Sequence, residues 1–148
     1  MTSKLLSGLP SPTWVLVFGS GDEAMSQLAM FAREHALAGT RMTGIGAFSD
    51  VVLGYFRWER KEYERIHVAE QVEVLSLVGD IALGEGGPVV HAHVVVGRAN
   101  GVAMGGHLLE AHVRPTLELM LTESPRGLVR RYDPASGLPL IALARERT

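Results

Sequence analysis

The chain has 148 residues, which is the size of one domain. With 47% hydrophobic and 20% charged residues it has the composition of an ordinary globular protein and not of a disordered one. Fourteen Lys and Arg against sixteen Asp and Glu give a net charge of -2, which lacks the basic excess of dedicated nucleic-acid binders. The absence of cysteine excludes disulfides, thiolate catalysis and Cys-ligated metals.

No apolar run approaches the ~18 residues that a membrane span needs, and the first ten residues do not form a secretory signal. We therefore expect a cytoplasmic protein. Pro10 and Pro12 separate a short N-terminus, 1–11, which we expect to be mobile. The domain is expected to cover 12–142, and 143–148 to form a C-terminal tail.

The first predicted elements are a strand at 14–18 and one amphipathic helix. Ser20 and Glu23 fit a capping box, in which a Ser caps the helix and a Glu follows three residues later. Apolar residues then recur at helical spacing as far as Leu37, and Gly39 is expected to end the helix.

The rest of the chain has the pattern of strands joined by short turns. Predicted strands cover 43–48, 51–58, 71–83, 89–96 and 117–121, and Asn100-Gly101 is a hairpin signal. Prolines interrupt a tail with little regular pattern after residue 124. The order of elements predicts a single α+β domain, with a mostly antiparallel β-sheet packed with one main α-helix.

The charges are unevenly distributed along the chain. Residues 67–123 contain two basic and seven acidic residues, whereas 125–148 contains five arginines and two acidic residues. We therefore expect residues 67–123 to bind a cation more readily than an anion. A contact to an anion is expected to use one of the C-terminal arginines: Arg126, Arg130, Arg131, Arg145 and Arg147.

Three histidines, His91, His93 and His107, form the candidate metal site. Alternation along a strand places His91 and His93 on one face, roughly 6.6 Å apart. That span lets two imidazole nitrogens converge on one ion. With a third histidine, the fourth position of a tetrahedral site stays open to water, as in catalytic zinc sites.

Whether His107 joins the other two depends on the hairpin loop. A two-residue loop, Asn100-Gly101, would turn His107 to the wrong face and set Glu110 opposite His91. A three-residue loop with Gly101 in the left-handed conformation would set His107 directly opposite His93. We favour the three-residue loop.

The remaining candidates are weaker. His35, His67 and His112 are expected to be structural or exposed. No dinucleotide fingerprint, P-loop or nucleophile elbow is present. If the chain is an enzyme, the candidate general bases nearest in sequence are Glu73, Glu85 and Glu110, and no catalytic residue is assigned.

Four blocks of sequence together resemble the PPC family, the domain found in plants and prokaryotes. They are Gly44-Ile45-Gly46-Ala47-Phe48, 73–79, 88–94 and Gly105-Gly106-His107-Leu108, and the resemblance covers roughly 13–121. It implies an α+β fold that assembles as a homotrimer. In prokaryotic members the two histidine blocks resemble a metal site, which corresponds here to His91, His93 and His107.

The same resemblance implies an association with DNA. Prokaryotic members are commonly named as DNA-binding by analogy with plant relatives, in which an AT-hook with an Arg-Gly-Arg-Pro core precedes the domain. The nearest string here, Pro125-Arg126-Gly127, lacks the second Arg and the following Pro. The chain therefore looks like the stand-alone prokaryotic type without the hook.

Three functions stay open on this basis. The first is a DNA-associated or regulatory homotrimer with a histidine-lined divalent metal site. The second is a metal-dependent hydrolase or lyase acting on a small substrate, and the third is an interaction module with a structural metal. Imidazole ligands suit zinc, copper, iron and nickel, of which zinc is the expected ion.

Overall fold

The structure is a computed structural model and describes residues 1–7 and 11–143. Within these residues one helix, α1 (Ala24–Glu34), and nine strands form the fold. The strands are β1 (Thr2–Ser7), β2 (Thr13–Gly19), β3 (Gly39–Arg57), β4 (Glu62–Val68), β5 (Val72–Gly84), β6 (Gly87–Gly97), β7 (Ala103–Glu123), β8 (Arg130–Asp133) and β9 (Leu138–Ile141). The helix is not long and apolar enough to cross a membrane.

Seven antiparallel strands form the main sheet in the order β1-β2-β7-β6-β5-β3-β4, and β8 and β9 form a separate hairpin. Strand β7 also pairs with β3, so that the sheet closes on itself through β3, β5, β6 and β7. The long strands can pair with several neighbours because bulges bend them, for example between Gly44 and Gly46 in β3.

The core lies between α1 and the inner face of the sheet. Leu28, Phe31 and Ala32 on the helix are buried, and they join a cluster that includes Phe18 and Phe48. Alternation within the strands supplies the rest of the core, because every second side chain of β7 from Leu117 onward points inward. This arrangement confirms the predicted α+β class, single domain and mostly antiparallel sheet.

The start and end of the helix differ from the prediction. Ser20 does not cap α1; Glu23 does, and its carboxylate accepts hydrogen bonds from the backbone N–H groups of Met25 and Ser26. The helix ends at Glu34, with His35 as the C-cap, and does not reach Gly39, which already belongs to β3.

Several strand boundaries also differ. The expected break at Ser49-Asp50 is wrong, because β3 continues through both residues and pairs in turn with β5, β7 and β4. The hairpin of β8 and β9 lies in the tail that showed no regular pattern. The N-terminal segment, expected to be mobile, forms edge strand β1 over Thr2–Ser7.

The outer face of the sheet is rich in exposed apolar side chains. Ile45 is 62% exposed and Leu75 is 54% exposed, values far from those of the inner face. Three further apolar side chains on this outer face are between 42% and 49% exposed: Val78, Val95 and Met120. We call these five residues the outer apolar face.

Candidate metal centre

The hairpin between β6 and β7 brings the three predicted histidines together. His93 pairs directly with His107, and the N–H of Arg98 donates to the carbonyl of Val102 at 2.9 Å. Gly101 has a φ of +81°, the left-handed conformation that the three-residue loop requires. The favoured loop is therefore confirmed.

The three imidazoles face one another at short range. Ring centroids are 5.2 Å apart for His91 and His93, 5.1 Å for His91 and His107, and 5.4 Å for His93 and His107. One nitrogen from each ring lies within 4.8 Å of the others. Tetrahedral zinc places its ligand nitrogens about 3.4 Å apart, so movements of about 1 Å bring the set onto one ion.

The surroundings keep two of these rings neutral, which is the form that binds metal. Burial, together with the neighbouring His91, His93 and Arg130, lowers the pKa of His107 to about 4. Burial and the charge of Arg130 also lower the pKa of His91, although Asp80 opposes the shift. A cation at this position therefore displaces no proton from these two rings at neutral pH.

An unsatisfied nitrogen provides a test of whether a metal fits. Nδ1 of His107 is buried and has no hydrogen-bond partner among the described residues. The ring is held in place by Tyr63 of β4, which stacks on it at 4.6 Å. Buried polar atoms are nearly always paired, so a fixed imidazole with a free nitrogen fits a metal ligand. Three imidazoles are also a set of ligands that zinc and other transition metals accept.

Arg130 of β8 reaches the site from the C-terminal hairpin. Its side chain is 7% exposed, and Nη2 lies 2.6 Å from Oδ1 of Asp80 and 3.2 Å from Nδ1 of His91. Its Nη1 donates to the carbonyl of Pro139 at 3.1 Å. Among the C-terminal arginines that the structure describes, Arg130 is therefore the one at the site.

The structure describes two of the other arginines that the sequence suggested for an anion. Arg126 and Arg131 are exposed. Arg145 and Arg147 fall outside the described residues. Sequence patterns could not distinguish Arg130 from this group, since its partner Asp80 is 50 positions away along the chain.

A pocket of about 200 Å³ opens beside the histidines. Strands β4, β6 and β7 form one side of it, and the β8–β9 hairpin forms the other. Its lining residues are Tyr63, Val89, Val90, His91, His107, Arg130, Leu138, Pro139 and Leu140. The cluster therefore borders a small cavity that is apolar except for the groups at one end.

None of the three candidate bases lines this pocket. Glu110 is exposed and forms an ion pair with Arg65 at 2.5 Å, and it pairs with Val52 rather than standing opposite His91. Glu73 and Glu85 are exposed on β5 and in the turn after it. The groups that sequence reasoning missed are Tyr63, Asp80 and Arg130.

The three remaining histidines lie away from the cluster. His112 is exposed and bonds through Nδ1 to Asp50 at 2.8 Å, which raises its pKa. His35 packs against Phe31, with 4.1 Å between the ring centroids, and His67 is exposed on β4. The expectation that these residues are structural or exposed agrees with these positions.

The fold and the cluster together define an α+β protein with a histidine triad on two neighbouring strands, β6 and β7, of an antiparallel sheet. The model of the Plants and Prokaryotes Conserved (PCC) domain, also abbreviated PPC, matches residues 7–125. The chain belongs to this family, as the four sequence blocks predicted.

Solved structures share the fold over nearly the whole chain. A PPC protein of Pyrococcus horikoshii is 30% identical with a TM-score of 0.83, covering 97% of this chain and 96% of its own. A metal-containing protein of Archaeoglobus fulgidus is 28% identical with a TM-score of 0.82, covering 97% and 99%. A protein of Bacteroides thetaiotaomicron, provisionally named as DNA-binding, is 25% identical with a TM-score of 0.84, covering 95% and 96%.

Curated relatives are much longer than this chain. The bifunctional protein GlmU of Synechococcus sp. (strain JA-2-3B'a(2-13)) is 31% identical over 120 residues, or 79% of this chain. The chain spans 18% of the length of that protein. The similarity therefore concerns one segment of the longer protein.

Proposed function

We propose that this protein binds one divalent metal ion, zinc, through His91, His93 and His107 and acts as a homotrimer. The observation that carries the proposal is the convergence of three imidazole nitrogens within 4.8 Å, on rings of which one has a buried nitrogen with no partner in the described part of the chain. The metal-containing relative from Archaeoglobus fulgidus, which shares the whole fold, also supports it.

The residues of the site have separable tasks in this proposal. The three histidines hold the ion, Tyr63 fixes the ring of His107 by stacking, and Asp80 lies 3.7 Å from Nδ1 of His91, where a small movement lets it orient that ring. A zinc ion with three protein ligands polarises a bound carbonyl or lowers the pKa of a bound water. His91 and His107 line the pocket, so a small molecule held there would lie beside the ion.

Metal titration of the full chain tests this proposal. Metal-free protein titrated with Co²⁺ should develop the strong visible absorption of tetrahedral cobalt at about one equivalent, and Zn²⁺ should displace it. His93→Ala should lose the signal, while His67→Ala, an exposed histidine on the neighbouring strand β4, should keep it. Equal signals in the two variants would contradict the assignment.

The homotrimer is supported by the outer apolar face. Five apolar side chains that are 42–62% exposed, on strands β3, β5, β6 and β7, form a surface typical of subunit contacts. His93, Val78 and Val95 line one shallow pocket on this face, so the outer apolar face extends as far as the histidines. Light scattering should give three times the chain mass, and Ile45→Glu with Leu75→Glu should reduce it. A monomer at micromolar concentration would contradict the homotrimer.

Association with DNA is the regulatory role that the relatives' provisional names suggest. The net charge of -2 does not favour it, because most affinity for DNA comes from contacts with phosphates. Binding to duplex DNA at about 150 mM salt, weakening steeply as salt rises, would support the role. A lack of binding at micromolar protein would exclude it and leave the metal site unaffected. In either role we expect the protein in the cytoplasm.

A metal-dependent hydrolase or lyase is the second candidate, and the pocket favours it. A cavity beside an open metal position can hold a small substrate, whereas the third alternative, a purely structural metal, needs no cavity. The two alternatives differ in one measurement. A chelator should lower only the melting temperature if the metal is structural, but should also abolish the binding of small molecules if the pocket is functional.

A further inference from the structure

We infer that the pocket beside the histidines binds a small carboxylic acid with a short apolar chain, which Arg130 holds by its carboxylate. This inference rests on the proposed metal function, because the ion supplies part of the positive charge. It adds the chemical class of the ligand and the residue that selects it.

Arg130 is a buried cation with unused donors. Its side chain is 7% exposed, and Nε is buried with no partner among the described residues. A guanidinium has five N–H donors, of which the carbonyl of Pro139, the carboxylate of Asp80 and Nδ1 of His91 accept three. Two donors are left for another acceptor, and the third also becomes free if a metal at Nε2 of His91 moves the ring proton to Nδ1. A buried arginine with free donors beside a cavity is suited to an anion.

The charge of the site also favours an anion. Asp80 neutralises Arg130, and imidazoles bind a metal ion in their neutral form. A divalent ion therefore leaves the group of Asp80, Arg130 and the three histidines with net positive charge. In a partly buried pocket such a charge attracts an anion more strongly than it would in water.

The walls of the pocket limit what is attached to that anion. Beyond the charged end, the lining is Val89, Val90, Leu138, Pro139 and Leu140. The volume of about 200 Å³ is below the 300–1,000 Å³ of pockets for drug-sized ligands, so the ligand is small. A phosphate would leave the apolar walls uncovered, and a dicarboxylate would bring a second charge to walls that offer no partner for it. A monocarboxylate with a short aliphatic chain can pair its carboxylate with Arg130 and pack its chain against the apolar walls.

The selecting residues lie outside the part of the chain that the family model matches. That match ends at residue 125, whereas Arg130 and the wall formed by Leu138, Pro139 and Leu140 belong to the β8–β9 hairpin. The hairpin is attached to the main fold through the Arg130–Asp80 ion pair and a bridge between Leu83 and Val129. The three histidines thus come from the matched region, whereas the residues that select the carboxylic acid come from the β8–β9 hairpin.

Calorimetry on the zinc-loaded full chain tests the inference with three probes: 3-methylbutanoate, its neutral amide and acetate. The branched acid should bind at least ten times more tightly than the amide and more tightly than acetate. Arg130→Gln should weaken binding of the acid at least tenfold, with zinc content unchanged. Arg131→Gln, an exposed arginine next to it on β8, should bind the acid as the parent does.

A second variant decides the question if Arg130→Gln does not fold. Leu140, 44% exposed, can be shortened to Ala with little effect on the core, and should lose affinity for the branched acid but not for acetate. Zinc-loaded protein that binds neither acid, binds the amide equally well, or is unaffected by both substitutions would overturn the inference and leave the metal site standing. Protein that binds no zinc at all would overturn both.

Discussion

Nδ1 of His91 lies 3.2 Å from Nη2 of Arg130. In this arrangement the imidazole accepts a hydrogen bond at Nδ1, which places its own proton on Nε2. Oδ2 of Asp80 is 3.7 Å from the same nitrogen and can accept a hydrogen bond from it only in the other tautomer, in which Nδ1 carries the proton. If a metal binds at Nε2, the proton must move to Nδ1, and Asp80 becomes the partner of the ring. Asp80 therefore links His91 to the buried arginine.

Asp80→Asn should weaken metal binding about tenfold, because a carboxylate that orients a ligating histidine typically contributes 10–100-fold in affinity. Competition with a colorimetric chelator measures this. Glu85→Gln removes a nearby exposed carboxylate and serves as the control. Unchanged zinc affinity in Asp80→Asn would mean that Asp80 serves only to neutralise Arg130.

Glu23→Ala should lower the free energy of unfolding by about 1–2 kcal/mol, the cost of losing a helix N-cap. The carboxylate accepts hydrogen bonds from Ser26, Met25 and Ala111 at 2.6–3.2 Å, which lower its pKa although partial burial opposes them. Urea denaturation measures the change. Ser20→Ala, at the position where the capping box was expected, should change stability by less than about 0.5 kcal/mol. A larger loss of stability in Ser20→Ala than in Glu23→Ala would contradict the assignment of Glu23 as the cap.

The pair of His112 and Asp50 should make stability depend on pH. Asp50 raises the pKa of His112 above its usual 6.5. A raised pKa in the folded state stabilises the protein below about pH 6.5, and this contribution disappears as pH rises through the folded-state pKa. The effect should stay below about 1 kcal/mol because the pair is exposed.

Denaturation of the metal-free parent and of His112→Gln at pH 5.5, 7 and 9 measures that effect. The parent should be the more stable of the two at pH 5.5, and the difference should shrink toward pH 9. A difference that grows with pH would contradict the ion pair.

Gly79→Ala should weaken metal binding without removing a ligand. A Cβ at this position would lie 2.3 Å from the carbonyl oxygen of His91 on the neighbouring strand, so the backbone that carries the histidine must move. The competition assay used for Asp80 measures the loss. Gly86→Ala, in an open turn where an added Cβ meets nothing within 4 Å, is the control. Equal affinities would mean that the strands adjust without moving the site.

The histidine triad could be predicted because its geometry is local. His91 and His93 share a strand, and a single hairpin loop decides the position of His107, so alternation and turn chemistry suffice. The α+β class follows from the same local patterns. The Glu23 cap could not be chosen over Ser20, since Glu23 is held by Ala111, 88 positions away, as well as by the helix itself.

The pocket and Arg130 could not be predicted because they depend on contacts between distant segments. Strand β8 has only four residues, too few for a pattern of alternation, and prolines interrupt the sequence around it. Likewise, Ser49-Asp50 looks like a turn, but β3 crosses it because the strand pairs with different neighbours on either side of a bulge. Local sequence patterns do not show which strands pair with one another.

The most direct test of the metal site is the metal content of untagged protein, measured by mass spectrometry beside the variant His91→Ala with His93→Ala. The account predicts about one zinc per chain in the parent and none in the variant. Absence of metal from both proteins, with equal stability, would contradict it and make the three histidines ordinary residues of the sheet.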